Sequence, residues 1–155
     1  MPGVKPVPSY IVRKSRIQGH GVFAARAIRR GARILEYTGE RVTPEVAYSR
    51  YDDDQSEHAH VLLFTVDERM VIDGGRGGGD ARYVNHSCEP NCEAVQTGRR
   101  VFIRALRAIP AGEELCYNYG LEREGDWQPA WDALYACRCG APSCRGTMLA
   151  GGKRS

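Results

Sequence analysis

Arg82-Tyr-Val-Asn-His-Ser-Cys88, continued by Glu89-Pro90-Asn91, is the densest stretch of chemistry in this chain of 155 residues. From Asn85 to Asn91 it combines hydrogen-bonding side chains, a thiol and a turn-forming proline. By themselves these residues leave two readings open: a functional site, or a tight turn around a buried and satisfied His86. Their neighbours in the sequence carry the reading further.

Downstream, Glu93–Thr97 and Arg100–Arg104 flank Gly98-Arg99 as a hairpin, and Ile109–Glu113 is a turn leading into Leu115-Cys-Tyr-Asn-Tyr119. Pro129, Trp131, Leu134 and Tyr135 are spaced for one or two helical turns. Cys137-Arg-Cys139-Gly-Ala-Pro-Ser-Cys144 then sets three thiols within eight residues. Thiolates that crowded suit a tetrahedral zinc ion, and a fourth ligand has to come from elsewhere. Gly140, Pro142 and Gly146 let the backbone turn tightly around an ion. The competing reading is buried thiols or a disulfide knot. Met1 to Ser9 holds three prolines and one lysine and no secretory apolar run, so an intracellular, non-secreted protein with reduced thiols is expected, cytoplasmic in a bacterium and nuclear in a eukaryote.

Upstream, Ser9–Arg13, Val22–Ala25 and Arg33–Thr38 are short apolar or alternating runs separated by glycine turns, and they predict strands. Thr43-Pro44-Glu45 supplies an N-cap, a first-turn proline and an early acid, with Ala47, Tyr48 and Tyr51 at helical spacing. Val61–Val66 and Met70–Ile72 predict a hairpin around Asp67-Glu-Arg69. Gly74 to Gly79 holds five glycines in six positions but lacks the Gly-Lys-Ser/Thr ending of a phosphate-binding loop, so it reads as a flexible connector.

Apolar residues make up 42% and charged residues 26%, the proportions of an ordinary globular chain. No apolar run is long enough to span a membrane, and the net charge of +3 is too small and too scattered for a nucleic-acid face. Neither a membrane nor direct nucleic-acid binding is expected.

Arg82-Tyr-Val-Asn-His-Ser-Cys88 with Pro90-Asn91 resembles the Arg-Phe-Ile-Asn-His-Ser-Cys-x-Pro-Asn signature of SET-domain protein-lysine methyltransferases. Three other segments follow in the family's order. Gly19-His-Gly21-Val-Phe-Ala resembles its early Gly-x-Gly segment, Glu36-Tyr-Thr-Gly-Glu40 its Glu-Tyr-x-Gly-Glu strand, and Gly112-Glu-Glu-Leu-Cys-Tyr-Asn-Tyr119 its Gly-Glu-Glu-Leu-Thr-Phe-Asp-Tyr segment. The cluster ending Cys144-Arg-Gly146 resembles the post-SET zinc motif. The resemblance covers about residues 10 to 149, with Asn118 in place of the usual acid and no cysteine-rich pre-SET region before Ser9.

The resemblance implies a mostly β fold: small β-sheets around a pseudoknot in which the Asn85 to Asn91 segment is threaded beside the Tyr119 segment, with a C-terminal zinc-binding post-SET segment. Pattern reasoning alone excludes such threading. It divides the chain into a tail at 1–8, a SET domain at 9–120, a post-SET segment at 121–149 and a tail at 150–155. It implies S-adenosylmethionine as methyl donor, held by Gly19, His20, Gly21, Val22, Arg82, Tyr83, Asn85 and His86, with Tyr51 as a further contact. Tyr119 would stand nearest the transferred methyl, with Tyr37 and Tyr117 lining a lysine channel. Cys88 would complete the Zn2+ site with Cys137, Cys139 and Cys144, leaving Cys92 and Cys116 as small buried hydrophobes. The expected partner is a protein substrate with a target lysine, a histone or another basic chromatin protein, which Asp52-Asp-Asp54 and Glu57 could attract. Tyr117 points to mono- or dimethylation. A catalytically silent, zinc-stabilised SET-like module that binds proteins is the alternative.

Overall fold

Ten short strands and one helix make up a computed structural model that describes residues 8–17, 19–51, 62–121, 129 and 135–149. The chain runs β1 (Tyr10–Lys14), β2 (His20–Ala24), β3 (Arg33–Tyr37), β4 (Glu40–Val42), α1 (Pro44–Tyr51), β5 (Leu63–Asp67), β6 (Met70–Asp73), a 3-10 turn (Asp80–Tyr83), β7 (Asn85–His86), β8 (Cys92–Thr97), β9 (Arg100–Ala105) and β10 (Glu114–Tyr117). Three small sheets result, ordered β1-β2-β10-β7, β3-β9-β8 and β4-β6-β5. The mostly β expectation is met. Among the described residues no helix is long and apolar enough to cross a membrane.

The hairpins follow the sequence pattern, with β8 and β9 paired from Cys92↔Ala105 to Thr97↔Arg100 around Gly98 at φ +62°. Val101 and Ile103 of the central strand β9 are fully buried with Val22, Leu115 and Ile72 of the other two sheets, so the three sheets share one core. Helix α1 starts as its cap predicts: the Thr43 hydroxyl accepts from Val46 N at 3.3 Å. Its last turn is pinned by Arg50, which donates to the fully buried Asp73 and to Glu40, each at 3.0 Å.

The two key segments meet in a way no local pattern shows. β7 lies parallel to β10, with Cys116 opposite Asn85 and Tyr117 opposite His86. Asn91, 4% exposed, locks the pair: its Nδ2 donates to Glu114 O at 2.7 Å and to Glu113 Oε2 at 2.8 Å, while its Oδ1 accepts from Cys116 N at 2.9 Å. Removing such a side chain strands a buried N–H and a buried carbonyl. We expect Asn91→Ala to cost about 3 kcal/mol, a fall in Tm of roughly 6–12 °C by calorimetry.

The glycine-rich segment differs from the flexible connector predicted. A Cβ on Gly74 would lie 2.7 Å from the Tyr37 hydroxyl, and one on Gly78 would lie 2.1 Å from Gly74 O. Close packing against Tyr37 and against its own backbone explains the glycines. The helical turn expected around Trp131 and Leu134 and the acidic run from Asp52 lie outside the described residues, as do both tails except Pro8.

Candidate functional site

Four cysteine sulfurs from two distant segments converge. Cys88, Cys137, Cys139 and Cys144 bring their Sγ atoms within 4.8 Å of one another, and Cys88 Sγ lies 3.7 Å from Cys137 Sγ. A tetrahedral ion with metal–sulfur bonds of about 2.3 Å requires sulfurs ~3.8 Å apart, so four thiolates here could hold a metal ion. Backbone donors are already aimed at them. Arg145 N lies 3.3 Å from Cys88 Sγ and Gly146 N 3.4 Å from Cys144 Sγ. Burial works against the Cys139 thiolate, but hydrogen bonds from backbone groups at Cys88 and Ala141 and from the neighbouring thiols bring its pKa down to about 6. Cys92 and Cys116 stay apart from this cluster. Desolvation pushes the Cys92 thiol up to about 12 and raises Cys116 as well, which suits the small buried hydrophobes expected of them.

The cysteine knuckle is closed by an Ala136↔Thr147 bridge and tied back by a parallel Leu121↔Leu149 bridge. Among the described residues its own core is only Tyr135 and Met148, packed against Tyr119 and Leu121. So small a cluster is not self-supporting, which is the situation in which bound metal carries the folding energy.

A cleft opens between the knuckle and the first sheet. Of the residues expected to hold a cofactor, His20, Arg82, Tyr83, Asn85 and His86 line it, together with Tyr119. The 3-10 turn Asp80–Tyr83 delivers two of them. Arg82 donates to Gly78 O at 3.2 Å and to the Tyr83 hydroxyl at 2.6 Å, and His20 faces Tyr83 with ring centroids 5.9 Å apart. Asn85 Nδ2 reaches Glu114 Oε2 at 2.8 Å and Ser15 Oγ and His20 O at 3.2 Å, so it also braces the turn before β2. The Gly-x-Gly turn is explained within the protein. Gly19 sits at φ +47°, and a Cβ on Gly21 would fall 2.3 Å from the Glu114 carboxylate. Val22 contributes a fully buried side chain to the core. Tyr51 ends α1, and its side chain lies outside the described residues.

Ile17, Arg138 and Met148 also line this cleft and were not read from the sequence. Arg138 stands between two cysteines of the cluster, a position that could have flagged it.

A second groove runs past Phe64, Glu93, Leu106, Tyr117, Asn118 and Tyr119. Tyr119 alone among the described residues lines both cavities. Its hydroxyl donates to Val84 O at 2.5 Å, its ring lies 4.8 Å from that of Tyr117, and its backbone N donates to His86 Nδ1 at 3.0 Å. Desolvation first, and neighbouring Tyr37 second, raises the Tyr119 pKa well above 10; burial does the same for Tyr117, so both hydroxyls stay protonated at neutral pH. Tyr37 stands one layer back: it is 2% exposed, donates to Leu62 O at 2.7 Å and packs on Phe64 at 5.4 Å. Phe64, at the groove itself, was not singled out in the sequence.

Burial, helped by Arg145, pulls the His86 pKa down from 6.5 to about 4. The unfolded chain binds a proton near pH 6.5 that the fold refuses until about pH 4. Stability is therefore complete above pH 6.5 and falls as pH drops through that window, by up to about 3 kcal/mol. Urea denaturation at about pH 7 and pH 5 should show a smaller difference in His86→Asn than in the parent protein.

Three small sheets, a parallel strand pair locked by a buried asparagine, and two cavities meeting at one tyrosine beside a four-cysteine knuckle define the SET class of fold. Residues 19–120 match the SET domain, and the chain belongs to that family. It is 42% identical over 139 residues to the histone-lysine N-methyltransferase trr of Drosophila melanogaster, covering 87% of this chain and 6% of that protein. It is also 42% identical over 140 residues to the H3 lysine-4 specific histone-lysine N-methyltransferase of Saccharomyces cerevisiae, with 87% of this chain and 13% of that protein covered. Against the human histone-lysine N-methyltransferase 2D the identity is 38% over 139 residues, covering 87% and 2%. The chain thus spans only a small part of the length of these curated relatives.

Proposed function

We propose that this protein is an S-adenosylmethionine-dependent protein-lysine N-methyltransferase, acting on a histone or another basic protein, with Zn2+ in the four-cysteine site. The observation that carries the reading is Tyr119 standing between a compact cleft on one side and an open groove on the other. The names of the relatives support the same reaction and substrate class.

The first cleft fits the methyl donor by its chemistry. Arg82 and Arg138 offer charge to a carboxylate, Asn85 offers hydrogen bonds, and Tyr83, Ile17 and Met148 offer apolar surface to a purine. When bound, S-adenosylmethionine supplies a methyl group on a positively charged sulfur. A lysine side chain reaches the same point through the groove, past Phe64 and Tyr117.

A free lysine with pKa near 10.4 is neutral in roughly one molecule in 2,500 at pH 7. The buried ring of Tyr117 and the half-buried ring of Tyr119 exclude water around the amine and favour its neutral form. No protein base need take the proton, because the amine can lose it to water before it is enclosed. Since the Tyr119 hydrogen is given to Val84 O, the hydroxyl presents only lone pairs to the reacting groups. Those lone pairs can orient the amine N–H and stabilise the electron-poor methyl in flight. With the methyl donor bound, these residues would hold the neutral amine in line with the methyl group the donor supplies, and the methylated amine would lose its extra proton to water on leaving.

Tyr117 should limit the number of methyls, because its hydroxyl can hold a water in the room a further methyl needs. Tyr117→Phe is expected to shift the product from mono- and dimethyllysine toward trimethyllysine, read by peptide mass spectrometry. Trimethyllysine as the main product of the unaltered protein would refute this assignment. The whole reading is tested by incubating the zinc-loaded protein with S-adenosylmethionine and histones. A mass gain of one CH2 per transfer on lysine supports it, whereas bound cofactor without transfer to any protein would favour a silent interaction module.

A further inference from the structure

His86 is 2% exposed, and each of its ring nitrogens has a partner. Nδ1 lies 3.0 Å from the backbone N of Tyr119. A backbone N–H can only donate, so Nδ1 is the bare nitrogen and the ring hydrogen of the neutral imidazole sits on Nε2. Nε2 lies 3.6 Å from Cys88 Sγ, within reach of an N–H···S bond. Cys88 is the one cluster sulfur supplied from outside the knuckle, and it receives Arg145 N on another side.

We infer that His86 is a positioning residue, a strut that ties the four-sulfur centre to the backbone of Tyr119 and so carries metal occupancy into the alignment of the tyrosine. The direction of the strut is set by chemistry. A metal-bound thiolate has no hydrogen and can only accept, which holds the ring hydrogen on Nε2 and keeps Nδ1 free for Tyr119 N–H. Two further contacts make the alignment matter at Tyr119. The His86 ring meets the Tyr119 ring edge-on at 5.3 Å, and the Tyr119 hydroxyl is held at Val84 O, two residues before His86. The imidazole, used on both nitrogens, thus has a duty toward the protein rather than toward a cofactor.

Nitrogen-15 spectra of the histidines in the zinc-loaded protein should show His86 with its hydrogen on Nε2; a hydrogen on Nδ1 would overturn the inference. Stripping the zinc with a chelator should move the Tyr119 amide resonance. In His86→Asn, whose side-chain oxygen can stand where Nδ1 stands but which has no N–H reaching Cys88, that movement should fall to about half or less. Equal movement in both proteins would overturn the strut.

Kinetics gives a separate arm, which rests on the proposed methyl transfer. His86→Gln, with its amide near Nε2 and no acceptor for Tyr119 N–H, should lower kcat about tenfold with little change in KM for S-adenosylmethionine, and His86→Asn should lose less. The reverse order of the two variants would count against the strut. Because the spectroscopic readings need no turnover, they stand or fall separately from the reaction: a chain that transfers no methyl but shows both signatures would sink the proposed function and keep the strut.

Discussion

Tyr119→Phe should lower kcat for methyl transfer by about two to three orders of magnitude, the size found when one preorganised polar contact to a transition state is removed. Its hydrogen is committed to Val84 O at 2.5 Å, so the lone pairs of the hydroxyl are fixed in direction before any substrate arrives. The phenyl ring that remains would still wall off both cavities, and the loss should therefore fall on kcat more than on KM for either substrate. Val84 O would lose its partner, which costs stability about 1 kcal/mol and is visible as a small fall in Tm. Single-turnover rates separate the chemical step from product release. A kcat within a fewfold of the parent would make Tyr119 a wall and nothing more. Burial holds the Tyr119 pKa well above 10, so the hydroxyl is neutral below that value and its ionisation gives no step in the rate between about pH 7 and pH 9. A rise in rate over that range would instead follow the neutral fraction of the lysine.

The strands that could be read from the sequence are those whose pattern is local. β8 and β9 alternate around a glycine turn, and α1 announces itself by Thr43 and Pro44. β7 has two residues and no period, and it is a strand only because β10 lies beside it in parallel. β4, three residues long, went unpredicted for the same reason: it exists through its pairing with β6. A pairing between Asn85 and Cys116 is written in neither segment, and only the resemblance to a family brought the two together.

The site divides in the same way. Cys137, Cys139 and Cys144 are legible because ligand spacing is a local property, whereas Cys88 lies 49 residues from Cys137 and nothing in its own surroundings names it a ligand. Arg82, Tyr83, Asn85 and His86 were found because they share one segment. Ile17 and, from the knuckle, Arg138 and Met148 come from two others, and folding alone gathers them into the cleft. Gly21 shows that a motif can be located without its reason being known. Its missing side chain makes room for the Glu114 carboxylate, which in turn holds Ser15 and Asn85.

Removal of the metal should be as damaging to transfer as the loss of Tyr119, by a different route. A strong chelator is expected to reduce methyl transfer about a hundredfold or more and to weaken S-adenosylmethionine binding at least about tenfold, while far-UV circular dichroism keeps most of its β signal. The sheets have their own core, in which Val22, Ile72, Val101, Ile103 and Leu115 are fully buried, and none of these residues belongs to the knuckle. Among the described residues the knuckle has Tyr135 and Met148, two bridges and four thiols that could hold the ion. Without the ion, four thiols held within 4.8 Å have little to keep them together. Ala136, Cys137, Arg138 and Met148 would then leave the cofactor cleft, taking away one wall and one of its two cations. Tyr119 would lose its packing against Tyr135 and Met148 at the same time. Cys137→Ser and Cys88→Ser should both reproduce the loss, but only Cys88→Ser also touches the sulfur beside His86. Adding zinc back to the chelated protein should restore binding and transfer together. Cofactor binding that survives metal removal at full strength would mean that the first sheet alone makes the cleft, and the knuckle would then be a lid on the groove side.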